Sequence, residues 1–231
     1  MQRVELQPAF IVHARPYRDT SFLVDCFTPD YGRVCVVARG VRRGKNNQRP
    51  LINPFIPLLV SFQGKGSLKL LVALESTEYR LNLVGLRLFS GLYLNELLVR
   101  VLSEWDSCPD LFRNYTDALR ALASDLDVEV VLRRFEKQLL QELGYGIDWH
   151  CDAYSGATLE ADAWYRLDVQ EGFISAAPGA TDNLYSGACL LDIANDQYLL
   201  PDTKKTAKQI CRLLLRPLLG DQPLKSRQLF S

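Results

Sequence analysis

The first 80 residues contain five short apolar segments separated by turn residues, and this pattern constrains the fold more than any other feature of the sequence. The segments are rich in Val, Leu, Ile and Phe and cover residues 9–15, 21–28, 33–39, 55–63 and 67–76. Pro29, Asp30 and Gly32 precede the third segment, and two glycines lie in residues 64–66 between the last two. Five short strands in about 70 residues predict a small barrel, and the five-stranded OB-fold is the nearest match.

From Leu86 onward, apolar residues recur at helical spacing instead. They fall on one side of a helix in residues 94–105, 109–123 and 132–143. A last helix is predicted from Thr203, with Asp202 as its N-cap. This helix must bend or end near Pro217, because proline lacks the N–H that a helix interior requires.

The helical part is interrupted by residues 164–167 and 172–176, which are typical of a short hairpin or an irregular insert. The sequence therefore predicts the α+β class. An OB-fold barrel is expected over residues 1–80. A mainly helical domain is expected over residues 81–231, with a small β or irregular insert around residues 148–180.

The composition is that of a globular protein, with 48% hydrophobic and 23% charged residues, and it excludes a disordered or collagen-like chain. No stretch approaches the roughly 18 uncharged apolar residues of a membrane span, and the first ten residues lack the apolar run of a signal peptide. We therefore expect a cytoplasmic protein without membrane contact. Six scattered cysteines, with no Cys-x-x-Cys pair, are expected to be reduced and mostly buried.

The charges are segregated along the chain, although the 27 basic and 27 acidic side chains cancel overall. Residues 1–80 carry twelve Lys/Arg and six Asp/Glu, a net charge of +6. Residues 81–202 carry eight Lys/Arg and twenty Asp/Glu, a net charge of −12. Residues 203–231 carry seven Lys/Arg and one Asp/Glu, a net charge of +6. Because salt screens charges beyond about 8 Å, local fields decide where a polyanion binds. The two ends of the chain are therefore candidate polyanion-binding segments.

The strongest local signal is a run of basic residues that contains no acidic residue between Asp30 and Glu75. Its members are Arg33, Arg39, Arg42, Arg43, Lys45 and Arg49. We expect residues 40–54 to form a loop at the rim of the barrel, and OB barrels present such loops to oligonucleotides. Each phosphate that these residues neutralise would release counterions and make DNA binding salt-dependent. A solvated loop that only keeps the protein soluble is the alternative interpretation.

A second basic set repeats every four residues along one face of the last predicted helix. It consists of Lys204, Lys208, Arg212 and Arg216, with Lys205 beside them. Solvated helix faces ordinarily mix Glu with Lys, so the purity of sign makes Lys204, Lys208 and Arg212 further candidates for binding a nucleic acid. The charged outer face of an ordinary amphipathic helix remains the other interpretation.

Aromatic residues in the barrel segments divide into two groups. The candidates for base stacking are Tyr17, Tyr31 and Phe62. The residues that alternate within strands and are expected in the barrel core are Phe10, Phe22 and Phe27. For each residue of both groups, core packing is the competing interpretation.

No complete catalytic or metal-binding pattern is present. Residues 40–46 are similar to a phosphate-binding P-loop, but the glycines are one residue too close and Asn46 replaces the Ser or Thr that would hold magnesium. Neither histidine lies in a triad motif. His150, Cys151 and Cys189 lack the paired spacing of a structural zinc site. We therefore expect no enzyme activity, no cofactor and no metal.

Nine segments form an ordered set of motifs over nearly the whole chain. They are residues 10–16, 25–28, 32–34, 37–42, 54–58, 91–98, 132–136, 143–146 and 223–230. The set includes Gly91-Leu92-Tyr93-Leu94-Asn95-Glu96-Leu97-Leu98 and Pro223-Leu224-Lys225-Ser226-Arg227-Gln228-Leu229-Phe230. This ordered set resembles the RecO family of bacterial DNA repair proteins.

The resemblance implies an N-terminal OB-fold, a helical domain and work as a recombination mediator. Members of this family bind single- and double-stranded DNA and anneal complementary strands. With RecR they help to load RecA onto DNA coated by single-stranded DNA-binding protein. Some members carry a four-cysteine zinc motif, but beyond residue 150 this chain has only Cys151, Cys189 and Cys211.

The resemblance also implies that the helical domain captures the acidic C-terminal tail of single-stranded DNA-binding protein. Arg133 and Arg134, within the motif Leu-Arg-Arg-Phe, are the expected contacts. Arginine suits this task because its planar fork grips a carboxylate with two hydrogen bonds. A simple ion pair of either arginine with Glu129 or Glu136 is the alternative.

Two other classes of protein remain open. An OB-fold RNA-binding module would use the same basic loop, and a comparison of affinities for matched DNA and RNA strands would distinguish it. A hydrolase in the acidic middle of the chain is the second class. Metal-dependent turnover of a nucleic acid or nucleotide would reveal it.

Overall fold

The structure, a computed structural model, describes residues 2–41, 48–66, 68–77, 80–177 and 183–230, and these form two compact units. The first unit contains Met1–Val128 and Asp221–Ser231, and the second contains Glu129–Gly220. The first unit thus holds the barrel segments, two helices and the last residues of the chain. The domain boundary expected after residue 80 stays a prediction.

In the described part of the first unit, five strands close a barrel in the order β1-β2-β3-β5-β4, which confirms the OB-like architecture. The strands are β1 (Gln2–Tyr17), β2 (Ser21–Thr28), β3 (Gly32–Ala38), β4 (Leu58–Gly64) and β5 (Lys69–Ser76). Neighbouring strands are antiparallel except β3 and β5, where Val36 pairs with Lys69 in parallel. The long strand β1 pairs with both β2 and β4, and register shifts bend it twice along its length.

The barrel interior is filled by inward-facing aliphatic side chains and one aromatic ring. Val24, Val34, Val36 and Val60 are fully buried there together with Phe62. Burial of apolar area at roughly 25 cal/mol per Å² is the main force that stabilises such a core. Alternation along the strands then leaves the opposite face of β1, β2 and β3 for other contacts.

Two helices of the first unit follow the barrel, α1 (Gly85–Val101) and α2 (Pro109–Leu122). Proline at the first turn of α2 fits a position whose N–H has no helical partner. Phe10 and Phe27 pack their rings against Tyr115 of α2, with centroids 5.3 and 5.7 Å apart. The prediction that these two phenylalanines fill the barrel core is therefore wrong, because they are buried on its outer face.

The segment between α1 and α2 leaves the helical path that the apolar spacing predicted through Trp105. Helix α1 ends at Val101, and Trp105 has a left-handed φ of 66°. The Trp105 N–H donates to the Arg33 carbonyl at 3.1 Å, and its indole contacts Tyr31 and Phe62. The segment is thus fixed to the start of β3.

The end of the chain returns to α1. Its last element is a 3-10 helix, Lys225–Phe230. The Glu96 carboxylate accepts hydrogen bonds from the backbone N–H groups of Lys225 and Ser226 at 2.9 and 2.8 Å. Burial by itself raises the pKa of Glu96, but the hydrogen bonds from Ser226 and Lys225 outweigh it and hold the pKa below its ordinary value.

The described part of the second unit combines helices with a three-stranded sheet of order β7-β6-β8. Its elements are α3 (Val128–Glu142), β6 (Trp164–Asp168), β7 (Gly172–Ser175), β8 (Leu184–Ser186), α4 (Gly187–Ala194) and α5 (Pro201–Leu219). The expected hairpin is confirmed as β6 and β7. Helix α5 begins at Pro201 with Leu200 as its N-cap, so Asp202 lies in the first turn and is not the cap. The helix ends two residues after Pro217.

The insert around residues 148–180 is organised by one buried carboxylate. Among the described contacts, Asp152 accepts five hydrogen bonds, three from Tyr154 and Ser155 and two from Ser175. The bonds from the Ser155 backbone and the Ser175 side chain hold the pKa of Asp152 well below its ordinary value. The carboxylate thereby joins the turn after Cys151 to strand β7.

Candidate nucleic-acid interface

Only part of the basic loop predicted to bind DNA belongs to the described residues. Arg42, Arg43 and Lys45 lie outside the described residues. Arg39 is exposed directly after β3, and Arg49 is exposed at the start of a short 3-10 helix, Arg49–Leu51. Both guanidinium groups are therefore accessible to a phosphate.

Arg33 lies in a different environment from the rest of this set. Its side chain is only 18% exposed and forms ion pairs with Asp25 at 3.2 Å and Glu104 at 3.5 Å. Its Nε also donates to the Leu102 carbonyl at 3.2 Å. Because two carboxylates already neutralise it, we assign Arg33 to joining β3 with the segment after α1.

The strand register brings further basic residues to the same face of the barrel. Arg15 on β1 is opposite Leu23, which is opposite Val37 on β3. Tyr17 lies two residues beyond Arg15 on the same strand, so these two side chains share the outer face, and Arg39 follows in the turn after β3. Arg15 was not among the predicted site residues, although a basic and an aromatic residue spaced by two along β1 were the available signal.

A cavity of about 410 Å³ lies at the end of this face. Its lining consists of Tyr17, Arg18, Asp19, Thr20, Ser21, Val37, Arg39 and Leu68. The Arg18 guanidinium lies 5.2 Å from the centroid of the Tyr17 ring. Arg18 was not among the predicted site residues either. It belongs with Arg39 to one basic pocket, which we call the turn cavity.

The three aromatic residues predicted as candidates for base stacking differ in their exposure. Phe62 is 1% exposed inside the barrel, with its ring 5.8 Å from Tyr31 and 6.0 Å from Trp105. Tyr31 is partly buried against the same core. Phe62 therefore offers no surface to a base, and Tyr17 is the candidate that stands in a pocket with arginines.

The second basic set lies on the outer side of α5. Lys208 is paired with Glu129 at 3.2 Å, while Arg212 and Arg216 are exposed. The opposite side of α5 is buried through Ala207, Ile210, Cys211, Leu214 and Leu215. The helix thus presents a basic face within the second unit, as its spacing predicted.

The two arginines predicted to hold an acidic tail differ in exposure. Arg133 is buried and pairs with Glu136 at 2.8 Å. Arg134 is exposed and donates to the Asp196 carbonyl at 3.1 Å. Lys137, one turn further along α3, pairs with the Asp196 carboxylate at 3.0 Å. The exposed guanidinium is therefore that of Arg134, whereas the Lys137 side chain is only 15% exposed.

An apolar cavity of about 210 Å³ begins at Lys137, and we call it the α3 cavity. Its lining consists of Lys137, Gln138, Leu140, Gln141, Gly146, Ile147, Trp149 and Leu214. The Lys137 ammonium lies 5.5 Å from the centroid of the Trp149 ring. Neither Lys137 nor Trp149 was among the predicted site residues, because the cavity joins residues far apart in the chain.

Within the described residues, no group of three or more His, Cys, Asp or Glu side chains is arranged to hold a metal ion. Cys26, Cys35 and Cys211 are buried thiols. Burial, together with the nearby Asp25 carboxylate, raises the pKa of Cys35 to about 12. In the same part of the chain, no helix is both long and apolar enough to cross a membrane.

The protein is an α+β protein in which a closed OB-like barrel, with arginines on its outer face, is followed by a helical region. The family descriptions "Recombination protein O N terminal" and "Recombination protein O C terminal" match residues 1–80 and 84–228. The chain belongs to the RecO family of DNA repair proteins, which confirms the resemblance of its motifs and gives it a role in DNA repair and recombination.

Relatives named DNA repair protein RecO match nearly the whole chain. The one from Cellvibrio japonicus is 49% identical over 230 residues, covering 99% of this chain and 98% of the relative. The one from Photobacterium profundum is 43% identical over 226 residues, with 97% and 95% covered. The one from Haemophilus influenzae is 42% identical over 229 residues, with 98% and 96% covered.

Proposed function

We propose that this chain is a non-enzymatic recombination mediator of the cytoplasm. It binds single- and double-stranded DNA, anneals complementary strands and, with RecR, helps to load RecA onto DNA coated by single-stranded DNA-binding protein. The observation that carries the proposal is the basic outer face of the barrel, where Arg15, Arg18 and Arg39 stand beside Tyr17 in a chain of the RecO family.

Annealing requires charge neutralisation and no bond cleavage. Two DNA strands repel each other through their phosphates, and arginines that replace the condensed counterions reduce this repulsion. Basic surfaces are present in both compact units, at Arg39 in the first and at Lys204, Lys208 and Arg212 in the second. These surfaces support contacts with more than one stretch of DNA.

We expect the purified protein to accelerate the annealing of two complementary labelled DNA strands without any nucleotide. The rate should fall as salt rises, because phosphate contacts are lost as counterions compete. Fluorescence energy transfer between the strands measures it, and gel analysis shows whether the strands stay intact. Matched RNA strands serve as the comparison. Stronger annealing of RNA, or shortened strands, would contradict the proposal.

For the acidic tail of single-stranded DNA-binding protein, the proposed anchor is Arg134 of the predicted pair Arg133 and Arg134, one turn before Lys137, where the α3 cavity begins. A terminal carboxylate can bind the guanidinium of Arg134, while apolar side chains of the tail enter between Leu140, Ile147 and Trp149. The site stands in a segment of net charge −12, so a local cationic anchor is needed to hold an acidic peptide. The buried pair of Arg133 and Glu136 supports α3 from inside.

The change Arg134→Glu is expected to weaken binding of a labelled tail peptide about 10-fold or more, because a charge-assisted hydrogen bond is worth about 1.5–3 kcal/mol. Fluorescence anisotropy gives the dissociation constant. Arg166→Glu, an equally large charge change at an exposed position of the same unit, is the matched control and should bind like the parent. Equal affinities of the Arg134→Glu variant and the parent, with both folded, would place the tail elsewhere.

A further inference from the structure

The turn cavity is built on an unfavourable backbone conformation. The turn between β1 and β2 runs from Tyr17 to Ser21, which pair across the two strands. Arg18, the residue after Tyr17, has a φ of 50°, in the left-handed region that residues with a Cβ disfavour. Strained residues persist where the surrounding structure fixes them, and they cluster at binding sites. Here the strain places a guanidinium beside the Tyr17 ring.

The size and lining of the turn cavity suit one nucleotide. Its volume of about 410 Å³ lies within the roughly 300–1,000 Å³ of small-ligand pockets. An aromatic ring offers a stacking surface to any base, and guanidinium groups bind phosphate. Asp19, Thr20 and Ser21 add polar groups that can meet the edge of a base or a sugar.

We propose that the turn cavity binds a single unstacked nucleotide of single-stranded DNA, with its base against Tyr17 and its phosphate held by Arg18 and Arg39. The inference rests on the proposed function and adds a selectivity to it. A base inside a duplex has both faces stacked and its edge paired, so it cannot enter. The turn cavity therefore strengthens binding of single strands more than binding of duplex DNA.

The test uses Arg18→Gly, because glycine adopts a positive φ without strain and the turn is retained. We expect about a 10-fold loss of affinity for single-stranded DNA, a clearly smaller loss for duplex DNA, which loses only a phosphate contact, and an undiminished melting temperature. Leu6→Gly is the matched control, since Leu6 on β1 has the same φ of 50°, is exposed and lies outside the turn cavity. This variant should bind both DNAs like the parent.

A second pair of variants separates the ring from the charge. Tyr17→Leu should show the same selective loss of affinity as Arg18→Gly. Tyr17→Phe keeps the ring and should bind single-stranded DNA like the parent. If the parent binds DNA while Arg18→Gly and Tyr17→Leu bind single strands as tightly as it does, the nucleotide site is overturned and the proposed function stands. An equal loss of affinity for single strands and for duplex DNA also overturns the nucleotide site. A parent that binds no single-stranded DNA refutes the proposed function itself.

Discussion

Replacing Arg39, Arg42, Arg43 and Lys45 together by alanine is expected to lower the affinity for single-stranded DNA by a factor on the order of 100–1,000 at ~0.1 M salt. Each phosphate contact contributes ~0.7 to the slope of log affinity against log salt for a single strand. Four lost contacts therefore reduce this slope by about 3. Binding titrations at several salt concentrations measure both quantities.

A loss of net charge alone must be separated from a loss of local contacts. The control variant changes four exposed arginines elsewhere on the chain to alanine, namely Arg3, Arg113, Arg120 and Arg166. It has the same net charge as the loop variant and should keep most of the affinity and the slope. If the loop variant retains the parent's slope, the loop is a solvated segment and not a DNA contact.

The barrel could be predicted from sequence because its signals are local. Apolar runs and turn residues such as Gly32 and Gly64 mark the strands, and the predicted bounds of β2 agree with the observed Ser21–Thr28. Strand β8 and helix α4 were not predicted, since three and eight residues carry little periodic signal. Strand β8 is defined by its pairing with β6, and pairing partners are invisible in a single sequence.

The candidate site shows the same division between local and distant signals. The exposure of Arg39 and the basic face of α5 follow from charge patterns along short segments. The ion pair of Arg33 with Glu104 could not be predicted from such patterns, because Glu104 lies 71 residues further along the chain. The burial of Phe10 against α2 equally depends on Phe112 and Tyr115, whose approach only the folded chain reveals.

Gly32→Ala is expected to destabilise the first unit by about 4 kcal/mol or more, enough to unfold a marginally stable domain. Gly32 has a φ of 57°, and an added Cβ would lie 1.8 Å from the Asp106 carbonyl oxygen. Because that oxygen is backbone, the clash can be relieved only by moving the segment after α1 away from β3. The movement would break the bond between the Trp105 N–H and the Arg33 carbonyl, and it would withdraw the Trp105 indole from Tyr31 and Phe62.

Gly40→Ala separates the two causes of this effect. Gly40 also has a positive φ, 69°, but among the described residues, its two chain neighbours aside, no atom lies within 4 Å of a Cβ added there. The free energy of unfolding of the Gly40→Ala variant should therefore fall by only the roughly 1–2 kcal/mol that a left-handed conformation costs an L-residue. Urea denaturation followed by tryptophan fluorescence compares the variants, because Trp105 reports on the contact that Gly32→Ala disrupts. Equal losses for the two variants would mean that backbone conformation alone, and not the close approach to Asp106, requires glycine at position 32.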